Sequence, residues 1–136
     1  MDNPTYRTQP FVKLISQLIE QSVKTNAKEL RLCSGAIPIS FVSELPQSAL
    51  ERTVSSTEIR GIHEIFRHAA AAQATTKSAN EYSVSLGPGL SFRCIFNEDR
   101  NVNRLRVFFE GDATTVPWDG RNPMPYLSTF AALYQG

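Results

Sequence analysis

Phe11, Val12, Leu14, Ile15, Leu18, Ile19 and Val23 recur every three or four residues, while Lys13, Gln17, Glu20, Gln21 and Lys24 fill the rest of the wheel. That period marks one apolar stripe on a helix. A helix is therefore predicted over 11–25, ended by Asn26, a residue that accepts the left-handed conformation. The period then drops to two. Leu30 and Leu32 fall on one face of a short strand, with Glu29, Arg31 and Cys33 on the other. Ser34-Gly35 reads as a turn. A second strand starts at Ile37, with Ile37, Ile39 and Phe41 on a common face and Pro38 near its start, where a missing donor costs least.

Residues 44–54 contain Pro46 and little periodicity, which suits a connection with at most a short strand. Ser55 and Glu58 have capping-box spacing and open a second helix. Its buried face is Ile59, Ile62, Ile65, Phe66, Ala69 and Ala70, and its end lies between Ala72 and Thr76. Three alternating strands follow. Tyr82, Val84 and Leu86 define the first; Leu90, Phe92, Cys94 and Phe96 the second; Leu105, Val107 and Phe109 the third. Gly87-Pro88-Gly89 is a turn signal between the first two, and the polar run 97–103 separates the last two. These strands should form an antiparallel meander. Arg93, Arg104, Arg106 and Phe108 then fall on the faces opposite the apolar stripes.

The fold class expected is α+β, a small antiparallel sheet packed against helices. Residues 1–10 read as a disordered lead-in, 11–110 as the domain, and 111–136 as an irregular tail in which 126–134 can form a short helix. With 136 residues the chain is long enough to bury one core without staples. A net charge of +1 provides no global field to draw nucleic acid. No segment reaches the roughly 20 apolar residues of a membrane span, and the N-terminus lacks the order of a signal peptide, so the expectation is a cytoplasmic protein without membrane insertion.

Several stretches resemble one family. Val23-Lys24-Thr25-Asn26-Ala27-Lys28-Glu29-Leu30-Arg31-Leu32 is similar to the A-V-K-x-G-A-S-D-L-H-L segment of type IV pilus retraction motors and type II secretion ATPases. Gly35 to Val42 resembles their G-x-x-P-x-x-R-V, Glu58-Ile59 their E-I helix start, and Leu90 to Asn97 their x-x-F-R-V-N-x-F-N. The resemblance runs from about residue 12 to about residue 109. It implies the N-terminal domain of such a motor, with a PAS-like arrangement of sheet and helices. There are departures. The family's Asp-Leu-His-Leu is Glu29-Leu30-Arg31-Leu32, its V-D-G hairpin is Val42-Ser43-Glu44, and a helix usual before the meander is replaced by the stretch from Ala69 to Ser78.

A P-loop needs G-x-x-x-x-G-K-[ST], whose backbone donors cradle phosphates while the lysine neutralises them. Lys13, Lys24, Lys28 and Lys77 are the lysines, and none follows a glycine. The chain is therefore expected to hydrolyse no nucleotide alone, to hold no cofactor and to be no enzyme. The resemblance implies that Arg93 and, less securely, Arg106 correspond to arginines that look across to nucleotide on the ATPase domain. Read without it, both are solvent-facing sheet residues. Arg93, Arg104, Arg106 and the hairpin's Arg100 could form a local basic patch for an acidic surface, a nucleic-acid partner being disfavoured. Trp118 could anchor a partner or cap the sheet.

His63 and His68, five apart, do not share a helix face and are expected to be partly exposed, so no metal site is expected. Cys33 and Cys94 read as small reduced apolar residues, far apart and outside any CxxC pair. The functional expectation is a non-catalytic interaction or regulatory module that docks on a pilus or secretion ATPase or on itself. The alternatives are a small-molecule sensor of PAS-like type, needing an apolar cavity between sheet and helix, and a secretion chaperone.

Overall fold

The computed structural model describes residues 4–85 and 91–110, with side chains from Phe11 onward. Trp118, the Gly87-Pro88-Gly89 turn and the helix expected over 126–134 lie outside the described residues. Helix α1 spans Pro4–Lys24, β1 Glu29–Cys33, β2 Ile39–Val42, β3 Leu45–Ser48 and helix α2 Ser56–Ala72. Strands β4 Thr76–Ser78, β5 Glu81–Ser85, β6 Ser91–Asp99 and β7 Val102–Glu110 complete the order. The strands make one sheet, β3-β2-β1-β7-β6-β5-β4, antiparallel at every pairing. The α+β class and the β5-β6-β7 meander thus stand as expected.

α1 takes in residues from Pro4 onward, which the sequence assigns to a lead-in; Pro10 falls inside it, although proline gives up a ladder hydrogen bond there. The helix stops where expected. Asn26 has φ 56°, and the Ala27 N–H reaches the Ser22 carbonyl at 2.8 Å. At α2 the capping box is complete: the Glu58 N–H donates to Ser55 Oγ at 3.1 Å and the Ser55 N–H to Glu58 Oε1 at 3.0 Å. The helix ends at Ala72, inside the expected interval.

Both helices cover one face of the sheet. Val12, Leu14, Ile15, Leu18 and Ile19 of α1 join Ile59, Ile62, Ile65 and Phe66 of α2 over Leu30, Leu32, Tyr82, Val84, Phe92, Cys94, Leu105 and Val107. Where α1, α2, β1 and β7 meet, the remaining space is about 10 Å³, about the least a single water needs. The junction is a filled core, without the cavity a small-molecule sensor would need there. At Gly61 the helices come close: a Cβ there would lie 2.8 Å from the Phe11 ring.

Two hairpins are tighter than their polar sequences suggest. Val42 pairs with Leu45 across Ser43 (φ 50°) and Glu44 (φ 69°), and Asp99 pairs with Val102 across Arg100 (φ 50°) and Asn101 (φ 69°). The run 97–103 is therefore strand almost to its tip. It reads as a loop because residues 97–101 are polar and exposed on both faces, although the end of the hairpin lies against the start of α2. The outer strands are short. β3 carries Pro46 and is exposed throughout, while β4 has three residues and a shift in register against β5.

Candidate functional site

Alternation sends every second strand residue to the side that the helices leave open. Strand registry then aligns these residues in rows. Phe41, Glu29, Phe108 and Arg93 stand side by side across β2, β1, β7 and β6. Ile39, Arg31, Arg106 and Ile95 form the next row, and Cys33, Arg104 and Asn97 the one after. β2 presents Ile39 and Phe41 to this open face, while its Ser40 is buried at 1% exposure beneath them. The apolar half of that strand thus lies away from the core.

Arg31 and Arg106 are directly opposite one another, an arrangement that repels when nothing intervenes. Glu29 resolves it. Its Oε2 accepts from Arg31 Nε at 2.5 Å and from Arg106 Nε at 3.0 Å. Burial pushes the Glu29 carboxyl up, but the hydrogen bonds and charges of Arg31 and Arg106 outweigh it, and its pKa falls below the ordinary carboxylate value. The guanidiniums also lie over rings: Arg31 is 4.4 Å from the Phe41 centroid, Arg106 4.7 Å and Arg93 4.9 Å from that of Phe108. Each stack at such an exposed site is worth about 0.5–1 kcal/mol, which favours arginine positions close to the sheet. Arg93 Nε also lies 4.0 Å from Glu110.

The expected arginines are therefore gathered as the alternation requires. Arg93, Arg104 and Arg106 share the open face with Phe108, whereas Arg100 sits at the hairpin tip. Arg104 has no side-chain partner among the described residues. It borders an open groove of about 510 Å³ lined by Arg31, Leu32, Cys33, Ile95, Asn97, Arg104 and Arg106. Glu29, Arg31 and Phe41 are the members that sequence reasoning missed. Their strand faces were legible, but only the β1–β7 pairing, between segments some seventy residues apart in sequence, brings them to the late arginines.

The buried titratable groups belong to the other face. His63 is not partly exposed, as expected, but 4% exposed. Its ring stacks on Phe96 with centroids 3.9 Å apart, and Nδ1 is 2.7 Å from the Tyr82 hydroxyl. Burial depresses its pKa from 6.5 to about 4, so it is neutral at pH 7. Cys94 is fully buried, which pushes its thiol up, whereas Cys33 is half-buried on the open face. Among the described residues no group of three or more His, Cys, Asp or Glu could hold a metal, and no helix is long and apolar enough to cross a membrane.

A polar knot joins the sheet to α2. Ser34 Oγ and Ser56 Oγ are 2.6 Å apart, the Asn103 N–H donates to Ser34 Oγ at 2.8 Å, and Asn103 Nδ2 donates to the Ser56 carbonyl at 3.0 Å. Beside it Arg60 pairs with Glu98. These bonds set the angle between helix and sheet and leave the open face as the surface where charged and apolar groups are displayed together.

No protein-family model matches the chain, and no curated protein matches it in sequence. Solved structures do share its fold. The pilus retraction motor PilT with bound ADP superposes with a TM-score of 0.51 at 12% identity over 69% of this chain. The Legionella pneumophila ATPase DotB gives 0.51 at 12% identity over 74%. In both cases the chain covers 28% of the other protein's length. The chain thus shares its fold with a part of the pilus retraction motor PilT and of the ATPase DotB.

Proposed function

We propose that this chain is a non-catalytic interaction or regulatory module of the motor N-terminal type, PAS-like in arrangement, that docks on a pilus or secretion ATPase or on another copy of itself. The observation that carries this reading is the match to only 28% of PilT and DotB, in a chain whose sequence contains no P-loop lysine motif. The open face is the contact surface in this reading, with Arg93, Arg104 and Arg106 at its centre and Glu29, Arg31, Phe41 and Phe108 around them. Stacked arginines and aromatics are the residues most often found where partners bind tightly. A cytoplasmic location goes with this role.

The test is affinity capture of the tagged full-length protein from its host after cross-linking. Recovery of a pilus or secretion ATPase is the expected result. Capture that returns neither such an ATPase nor a second copy of the chain would sink the reading. The sensor alternative finds no support where the helices meet the sheet, since the gap there is about 10 Å³.

A further inference from the structure

The groove beside Arg104 has a chemistry of its own. Of the described residues that line it, three are arginines and none is a carboxylate. The acids around it are otherwise engaged: Glu29 by Arg31 and Arg106, Glu110 beside Arg93, Glu81 by Lys77. Arg104 stands between Cys33 and Asn97 in registry, one row along from the Arg31–Arg106 pair, with no side-chain partner among the described residues. Ile95 supplies an apolar wall and Asn97 an amide.

Glu29 already shows what these guanidiniums accept. One carboxylate takes the Nε donors of both Arg31 and Arg106, and its Oε1 lies 3.5 and 3.4 Å from their terminal nitrogens. A second carboxylate entering from solvent would meet Arg104 first, then the outer faces of the other two. Charge-assisted bonds to a planar guanidinium fork favour a carboxylate held in two-point contact. The stacks on Phe41 and Phe108 keep Arg31 and Arg106 in place, so little side-chain freedom is lost on binding.

We propose that this groove receives the carboxylate side chains of an acidic partner segment, with Arg104 as the primary contact, and that Glu29 acts as a built-in competitor holding Arg31 and Arg106 in the partner's absence. This rests on the reading of the open face as a docking surface and adds the chemistry of what docks. Charge complementarity identifies the occupant: a local cluster of three arginines with no acid among the described lining residues, on a chain whose net charge of +1 would not draw polyanions at large.

The experiment is a fluorescence-anisotropy titration of full-length protein against a labelled hexaglutamate peptide at low salt. Saturable binding is expected, weakened about tenfold by Arg104→Ala and hardly at all by Arg52→Ala, which removes an arginine on another surface. Glu29→Gln should tighten binding about threefold or more, while Glu110→Gln, an equal change of charge beyond the groove, should change it less than twofold. Thermal melts establish that each variant is folded; should Arg104→Ala not fold, Arg104→Gln takes its place.

Absence of saturable binding, equal effects of Arg104→Ala and Arg52→Ala, or equal effects of the two glutamate variants would each overturn the proposal. So would binding of an oligothymidylate in place of hexaglutamate. Tightening on Asp112→Asn with Asp119→Asn, and not on Glu29→Gln, would assign the groove to the chain's own C-terminal segment and likewise overturn it. Capture of an ATPase with no hexaglutamate binding removes this inference alone. Hexaglutamate binding with no ATPase or second copy captured removes the broader reading and leaves the groove.

Discussion

His63 lies almost parallel to Phe96, with an interplanar angle of 8° and ring centroids 3.9 Å apart, in the layer between α2 and the sheet. Protonating it would place a charge in that layer, and burial accordingly lowers its pKa from 6.5 to about 4. The unfolded chain therefore binds this proton more readily than the folded one. His63 leaves stability undiminished above pH 6.5, and stability is lost as pH falls from 6.5 toward 4. One proton limits the slope to about 1.4 kcal/mol per pH unit. The difference between urea titrations of the natural chain and of His63→Leu across pH 6.5 to 5 reports on His63. The slope should be present in the natural chain and absent in His63→Leu.

Glu29 reconciles Arg31 with Arg106, and removing it leaves two like charges facing each other. Glu29→Ala should destabilise by about 1 kcal/mol, with a Glu29–Arg106 coupling in a double-mutant cycle below about 1 kcal/mol, since both arginines are half exposed. The lowered carboxyl pKa makes this contribution whole above pH 4.5 and diminishing as acid protonates Glu29. Denaturant midpoints at two salt concentrations check it, because the effect should shrink as salt rises.

Asn103 is 3% exposed and ties β7 both to the turn after β1 and to the start of α2. Asn103→Ala strips the Ser56 carbonyl of its amide donor and opens a gap in the knot. A loss of about 1–3 kcal/mol follows, read as a lower midpoint in urea at unchanged slope. Asn103→Asp should be no rescue, since a carboxylate cannot donate to that carbonyl.

The β2–β3 turn is built from Ser43 and Glu44, both at positive φ. Side chains with a Cβ occupy that region at a cost, whereas Asn-Gly suits a two-residue hairpin of this kind. Glu44→Gly, with or without Ser43→Asn, should raise stability by about 0.5–1 kcal/mol, visible as an upward shift in melting temperature.

Much of the architecture was legible because local signals agreed with the final packing. The Ser55–Glu58 box, the Asn26 stop and the Leu30/Leu32 alternation each correspond to what the chain does. The errors arise where tertiary context outweighs local pattern. His63 lies four residues after Ile59 and three before Phe66, on the buried stripe; its polarity argued for exposure, yet stacking on Phe96 and the bond to Tyr82 accommodate it. β4, in a stretch read without a strand, carries only polar residues and forms where β5 offers it a free edge, whereas β3 is the short strand that 44–54 allowed. For the open face, strand alternation placed Arg93, Arg104 and Arg106 together. Glu29 and Arg31 could join them only through a pairing between the two ends of the domain, which no local pattern encodes.

The two outermost strands set how this protein can meet other proteins. A sheet grows when a neighbouring strand zips onto an unsatisfied backbone, and that requires several residues in straight, regular register. At one margin Pro46 lacks an amide hydrogen within a strand of four residues; at the other, three residues run out of step with β5. Among the described residues neither margin offers a long, regular template for another strand. In the proposed docking role the contact falls to side chains on the broad surface of the sheet, where a single substitution can change the choice of companion without disturbing the backbone that carries it.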